Sequence, residues 1–177
     1  VLAQFITAIH EAGASAIGID HRLDHASPSS LGGAASDALL IEALHAAGPV
    51  VLVHDPDIAL ETGAAMTGHV LVSTQPDRVT RRIPLLSAVE GTPVPAFGAV
   101  LYDLHRQQPL VLQRALLSDP MSTVTLNPVG DGSLSALPTI TLSSVWEAMQ
   151  HHDRRYLEDR FNGKIVVLLP SEISHGP

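Results

Sequence analysis

The sequence predicts an α/β domain in which a mixed, mainly parallel sheet is flanked by helices. Three observations favour this fold class: helix and strand patterns alternate through the first 55 residues, a β-hairpin pattern is inserted around residues 69–86, and an apolar run occupies residues 164–169. Alternating helices and strands are typical of parallel sheets with helices packed on their faces. A length of 177 residues suits a single domain, which we assign to residues 1–177.

The first four elements are predicted by periodicity and by turn residues. Apolar residues recur at helical spacing in a first helix, and Gly13 follows it as the C-cap. A short apolar run of strand length comes next. Ser36 and Asp37 then provide a cap for a second helix, which Gly48 and Pro49 end before the strand VVLV. These four elements occupy residues 2–12, 14–19, 37–47 and 50–53.

The middle of the chain predicts a hairpin and a third helix. The apolar segments 69–74 and 79–86 flank the turn-like sequence QPDR, which is typical of a β-hairpin. Pro95 then stands in the first turn of a helix. The apolar face of this helix consists of Phe97, Val100, Leu101 and Leu104.

The last third of the chain predicts two strands and a helix. Alternation in 123–129 indicates a strand, and a helix begins at Leu142 with Ser143 as its cap. The run KIVVLL has no polar side chain after its first residue, as expected of a central strand that is buried on both faces.

Composition excludes several classes of function. Hydrophobic residues make up 45% of the chain and charged residues 16%, so the chain is globular. The formal net charge is −8 and no basic stripe occurs, which argues against nucleic acid as a partner. The absence of cysteine excludes disulfides, thiolate catalysis and cysteine zinc sites. No apolar run reaches the roughly 18–20 residues of a membrane span.

The stretch GIDHRLDH places two carboxylates and two imidazoles directly after the first predicted strand. Because carboxyl ends of parallel strands meet at one edge of a sheet, Asp20, Asp24 and His25 could join His54 there in a metal site. That arrangement would suit a metal-dependent α/β hydrolase. No HxH or HExxH spacing supports it, however, and we favour a polar loop that the two aspartates tie down. His151 and His152 are interpreted in the same way, as part of a solvated face.

The segment PDRVTRR offers two further candidate side chains. Alternate residues of a strand face opposite ways, so Arg81 and Arg82 point to opposite sides. One of them could pair with Asp77 across the hairpin, which is the simpler interpretation, and the other could meet solvent or an anionic ligand. No GxSxG, Walker or GxGxxG sequence is found anywhere in the chain. Catalytic machinery is therefore not indicated.

The collinear order of these segments resembles the type-2 CHASE domain (cyclases/histidine kinases associated sensory extracellular). The resemblance covers nearly the whole chain and depends on the segments EAGASAIGID, GHVLVSTQPDRVTRRIPLL, TLNPVGDG and RFNGKIVVLL. Position by position, the family pattern falls on Gly13, Asp20, Asp37, Gly68, Asp77, Arg81, Arg82, Pro84, Asn127, Gly130, Gly163 and Lys164. Arg78 replaces the usual turn glycine, which favours a type I turn. Family members extend beyond both ends of this segment, so the resemblance implies that the domain is incomplete here.

The resemblance implies an extracytoplasmic, periplasmic sensory domain of a bacterial membrane-bound signal-transduction protein. Such proteins carry cyclases, histidine kinases or Ser/Thr kinases beyond flanking transmembrane helices. The domain itself is expected to be non-catalytic, to need no cofactor and to form a homodimer, and its small-molecule or protein stimulus is unknown. The residues expected to contribute to ligand binding are Asp20, Asp77, Arg81, Arg82 and Asn127. A third possibility is a purely structural dimerisation module, in which Leu2, Phe5 and Ile9 pack against a partner.

Overall fold

The computed structural model describes residues 1–21, 23, 25–54, 66–74, 80–108, 123–125 and 137–169. Within these ranges the helices are α1 (Leu2–Glu11), α2 (Gly33–Ala46), α3 (Phe97–Arg106), α4 (Leu142–Gln150) and α5 (Arg154–Phe161). The strands are β1 (Ala16–Ile19), β2 (Val50–Val53), β3 (Met66–Gly68), β4 (Ser73–Thr74), β5 (Thr80–Pro84), β6 (Leu86–Val89), β7 (Thr92–Pro95), β8 (Thr123–Thr125) and β9 (Ile165–Leu168). The predicted α/β class with a parallel sheet flanked by helices is confirmed.

The central layer is a four-stranded parallel sheet with the order β3-β2-β1-β9. Ile17 lies opposite Val50 on one side and opposite Val166 on the other, so β1 is paired along both of its edges. All four residues of β1 are buried. A run that is apolar at every position is what a strand covered on both faces requires.

Four helices cover one face of this sheet. α1, α2, α4 and α5 bury Ile6, Ile9 and Leu44 against the alternate side chains of β1 and β2. Phe5 packs edge-on against Trp146, with the ring centroids 6.0 Å apart. Because Phe5 and Ile9 are buried in the domain's own core, they cannot form the partner-binding face that the dimerisation interpretation required.

The opposite face is covered by α3, which approaches the sheet closely. Phe97, Val100 and Leu101 pack on the side of the sheet that carries Ala16 and Val51. Two glycines allow this approach. A Cβ atom on Gly68 would lie 2.5 Å from the Cα of Phe97, and one on Gly18 would lie 2.7 Å from its Cζ.

Two smaller antiparallel units lie between β3 and β9 along the chain. β5 lies between β4 and β8, with Arg82 opposite both Ser73 and Thr125. β6 and β7 form a separate hairpin. The pairing of β4 with β5 confirms the predicted hairpin, whose turn lies outside the described residues. The prediction was wrong to extend that hairpin from 69 to 86, because His69 still bridges to Ala96 and Leu86 begins the next hairpin.

Two predicted helix starts and one predicted cap differ from the structure, while the predicted start of α4 at Leu142 is confirmed. α2 begins at Gly33, four residues before Asp37, because that carboxylate binds the preceding loop instead of capping the helix. α4 is capped by Thr141, whose hydroxyl accepts the Ser144 N–H at 3.3 Å, and not by Ser143. Pro95 lies in β7 and α3 begins after it.

The predicted central position of the last strand is wrong for the described sheet. β9 is its edge strand, and Ile165 and Val167 are 37% and 41% exposed. These two side chains lie on the α3 side of the sheet, while Val166 and Leu168 pack into the main core. None of the described helices combines the length and the apolar character needed to cross a bilayer.

Candidate functional site

Polar side chains follow three neighbouring strands at the carboxyl edge of the parallel sheet. Asp20 comes directly after β1, His54 after β2 and His69 after β3. The main chain ties these positions together: the Asp20 N–H donates to the Leu168 carbonyl at 2.9 Å, and the His54 N–H donates to the Gly68 carbonyl at 2.8 Å. This edge is where open parallel sheets commonly bind ligands.

The loop between β1 and α2 is held by Asp37. Both carboxylate oxygens of Asp37 accept the Ser27 N–H, at 3.3 Å and 3.1 Å. Asp37 itself is buried, whereas His21 and His25 are exposed and Asp20 is partly exposed. The exposure of the two histidines confirms the polar-loop interpretation of GIDHRLDH for those two residues. The side chain that anchors the loop is Asp37, for which the sequence predicts a role as helix cap.

Substituting Asp37 with alanine is expected to destabilise the domain by about 1.5 kcal/mol, since a buried charged acceptor is lost and the Ser27 N–H loses its partner. Asp37→Asn keeps one acceptor oxygen in place and should cost less. Chemical denaturation of both variants measures the difference, and amide exchange should be faster over residues 25–32 in Asp37→Ala. Equal losses in the two variants would show that the hydrogen bond to Ser27 contributes little.

Among the described residues at this edge, His69 is the most deeply buried ionisable side chain, with 2% of its surface exposed. Its Nδ1 accepts the Leu71 N–H at 3.2 Å, so the ring proton is on Nε2. Nε2 has no hydrogen-bond partner among the residues that the structure describes. Burial lowers the pKa of this imidazole below its ordinary value of 6.5; the Pro84 carbonyl opposes that effect and the neighbouring His54 adds to it.

A role for His69 was not predicted. In the sequence this histidine is the first residue of the strand-like segment HVLVST, and nothing in a single histidine beside apolar residues signals burial. The available signal was the preceding glycine, because a backbone contact at Gly68 draws its neighbour into the interior.

The proposed metal ligands are not brought together in the described part of the chain. No group of three or more His, Asp and Glu side chains there is close enough to hold a metal ion. Asp24 lies outside the described residues, and His25 is exposed on the loop. We therefore do not assign His54 as a metal ligand.

The predicted ligand-binding residues are distributed over two sheets. Asp20 follows a strand of the parallel sheet, whereas Arg81 and Arg82 lie in β5 of the antiparallel unit, with Arg82 exposed. Asp77 and Asn127 lie outside the described residues, as does the predicted pairing of an arginine with Asp77. The structure therefore leaves this set of five as a prediction.

An open groove of about 1690 Å³ runs over the helical face between α1 and α2. Its lining is mainly apolar, with a minority of polar side chains. The lining includes Thr7, Glu11, His21, His25, Leu40 and Ala43. Because His21 and His25 belong to the loop after β1, the groove and the carboxyl edge share one loop, and a ligand in the groove would contact the segment that Asp37 anchors.

Comparison with known families gives one result. A family model described as the CHASE2 domain matches residues 1–173, which is almost the entire chain. Neither a curated protein nor a solved structure gives a significant match.

Proposed function

The chain belongs to the CHASE2 domain family, and on that premise we propose that it is the extracytoplasmic sensory input domain of a bacterial membrane-bound signalling protein. CHASE2 domains are extracellular sensory domains of signalling proteins and are not catalytic. The family match over residues 1–173 carries the proposal. The effector is a cyclase, a histidine kinase or a Ser/Thr kinase, connected through transmembrane helices that flank this domain.

A sensor of this kind acts through a population shift. A stimulus changes the output only if it binds one arrangement of the domain, or of its homodimer, better than the other. We propose that Asp20, Asp77, Arg81, Arg82 and Asn127 contribute to ligand recognition. Support comes from the position of Asp20 at the carboxyl edge of the parallel sheet and from the exposure of Arg82.

The location can be tested with single cysteines, since the chain contains none of its own. Ala46 is the last residue of α2 and Ala47 follows it, the first exposed and the second 1% exposed. In spheroplasts that express the full-length protein, we expect a membrane-impermeant maleimide to label Ala46→Cys without lysis. Ala47→Cys should react only after denaturation, because its thiol would be buried.

The unsubstituted full-length protein is the control for cysteines elsewhere in the polypeptide. Labelling of Ala46→Cys only after the inner membrane is lysed would place the domain in the cytoplasm and contradict the proposal. Labelling of Ala47→Cys in the native protein would instead contradict the packing at the end of α2, and the location would then be decided by Ala46→Cys alone.

A further inference from the structure

His69 lies where three parts of the fold meet. Its N–H donates to the Pro95 carbonyl at 2.8 Å, and its own carbonyl accepts the Phe97 N–H at 2.9 Å. The backbone of His69 therefore joins the end of β3 to the end of β7 and to the first residue of α3. Gly68, directly before it, lies so close to α3 that an added Cβ would be 2.5 Å from the Cα of Phe97.

Among the described residues that face the His69 ring none is acidic, and only the Pro84 carbonyl favours a positive charge on it. From the end of β2 it faces His54, a second imidazole. Pro95, Ala96 and Phe97, which reach it from β7 and α3, carry no charge. On the remaining side the Pro84 carbonyl favours the protonated ring, but Nε2 makes no well-formed hydrogen bond to any described residue.

A proton on this ring would create a buried charge that no acidic side chain among the described residues balances, and such a charge is unfavourable unless it reaches water. The ring would reach water if the segment around His69 left its bridge to Ala96. The hydrogen bonds to Pro95 and Phe97 would then break together, since both are made by the backbone of His69.

We propose that His69, with His54 beside it, is an acid-sensitive latch that holds α3 and the β6–β7 hairpin on the parallel sheet at neutral pH and releases them when the ring binds a proton. This inference goes beyond the proposed sensory role and concerns the domain itself. In a sensor, such a release would couple external pH to the arrangement of the domain.

We call the latch closed when His69 is buried and bridged to Ala96, and open when that bridge is broken and the ring reaches water. The direction of the pH dependence follows from the pKa of the ring in these two states. In the open state the ring titrates near its ordinary value of 6.5, whereas burial lowers its pKa in the closed state. The latch is therefore stable above pH 6.5 and weakens as the pH falls from 6.5 through the lowered pKa of the closed state. Between these two values the opening equilibrium rises by up to about tenfold per pH unit, because the open state binds up to one more proton.

Amide hydrogen exchange of the protein, corrected for the intrinsic effect of pH, measures this opening. We expect the amides of His69 and Phe97 to exchange up to about tenfold faster for each pH unit below 6.5. The Leu157 amide, which bonds to Asp153 in α5, should show no such change. An imidazole NMR titration should give His69 a pKa below 6.5.

Three variants separate the latch from a general effect of acid. His69→Asn keeps an acceptor for the Leu71 N–H but cannot be protonated, so the extra exchange below pH 6.5 should disappear. His54→Asn should reduce the pH dependence of exchange without abolishing it, because burial still lowers the pKa of His69. His45→Asn, at an exposed site on α2, should behave like wild type.

A wild-type protein whose His69 and Phe97 amides exchange independently of pH would overturn the proposal. So would a His69→Asn variant that keeps the full dependence. If His69→Asn does not fold, the pH dependence of amide exchange in the wild-type protein and in His54→Asn still tests the proposal. None of these results bears on the membrane location, which the cysteine labelling tests separately.

Discussion

Replacing Gly68 with alanine is expected to destabilise the domain by about 3 kcal/mol, at the upper end of the usual cost of overpacking. The added Cβ would lie 2.5 Å from the Cα and 2.8 Å from the N of Phe97. Both are backbone atoms, so no side-chain rotation can relieve the contact. α3 must instead move away from the sheet, which would open the apolar contacts of Phe97 and Val100.

Gly98 supplies the matched control, since it lies in α3 one residue after Phe97. A Cβ at Gly98 has no neighbour within 4 Å. Gly98→Ala should therefore leave stability unchanged or raise it by up to about 0.5 kcal/mol through helix propensity. Thermal unfolding of both variants measures the contrast, with a fall in Tm of roughly 6–12 °C for Gly68→Ala. Equal Tm values for the two variants would contradict the close approach of α3 to the parallel sheet.

Replacing Leu44 with alanine is expected to cost about 3 to 4 kcal/mol. Leu44 lies in α2 with none of its surface exposed, in the core cluster that also contains Ile6 and Leu52. Removing its isobutyl group loses the favourable transfer free energy of the buried atoms. It also leaves a cavity, which the parallel sheet on one side cannot collapse to fill.

Leu39 lies on the same helix and is 60% exposed, so Leu39→Ala is the matched control for Leu44→Ala. Leu39→Ala should change the free energy of unfolding by no more than about 0.5 kcal/mol. Urea denaturation of the pair gives both values from one experiment. A loss at position 39 as large as that at position 44 would mean that the outer face of α2 is covered in solution.

The alternation of helices and strands could be predicted because those elements carry strong periodic signals. α1 and α3 present apolar residues at helical spacing, and β1 and β2 are short apolar runs next to turn residues. Strand β3 was not predicted, since the three residues MTG show neither alternation nor β-branched enrichment beyond one threonine. Its place in the sheet comes from pairing with β2, which no local pattern reveals.

The central-strand prediction for β9 failed for a different reason. The run IVVL is apolar at every position, and a sequence pattern cannot tell whether a strand is covered on both edges or only one. The structure pairs β9 with β1 alone within the described sheet. The apolar run therefore predicted the strand but not its position at the edge of the described sheet.

The candidate site was predictable only in part. Asp20 could be placed at the carboxyl edge because it follows an apolar run directly. The roles of Asp37 and His69 could not be predicted, since each depends on a loop or strand that returns from elsewhere in the chain. Asp37 looks like a helix cap in sequence, yet its carboxylate accepts the Ser27 N–H, ten residues earlier.

The position of β1 between β2 and β9 also has a consequence for the way the chain reaches its native state. β2 follows β1 after one helix, but Ala16 meets Ile165 only when almost the whole sequence is available. Contacts between such distant segments make folding slow, because the chain must close a long loop before they form. A nascent chain can therefore assemble β1, α2 and β2 early, yet it keeps one side of β1 open to unwanted pairing until synthesis has passed residue 168.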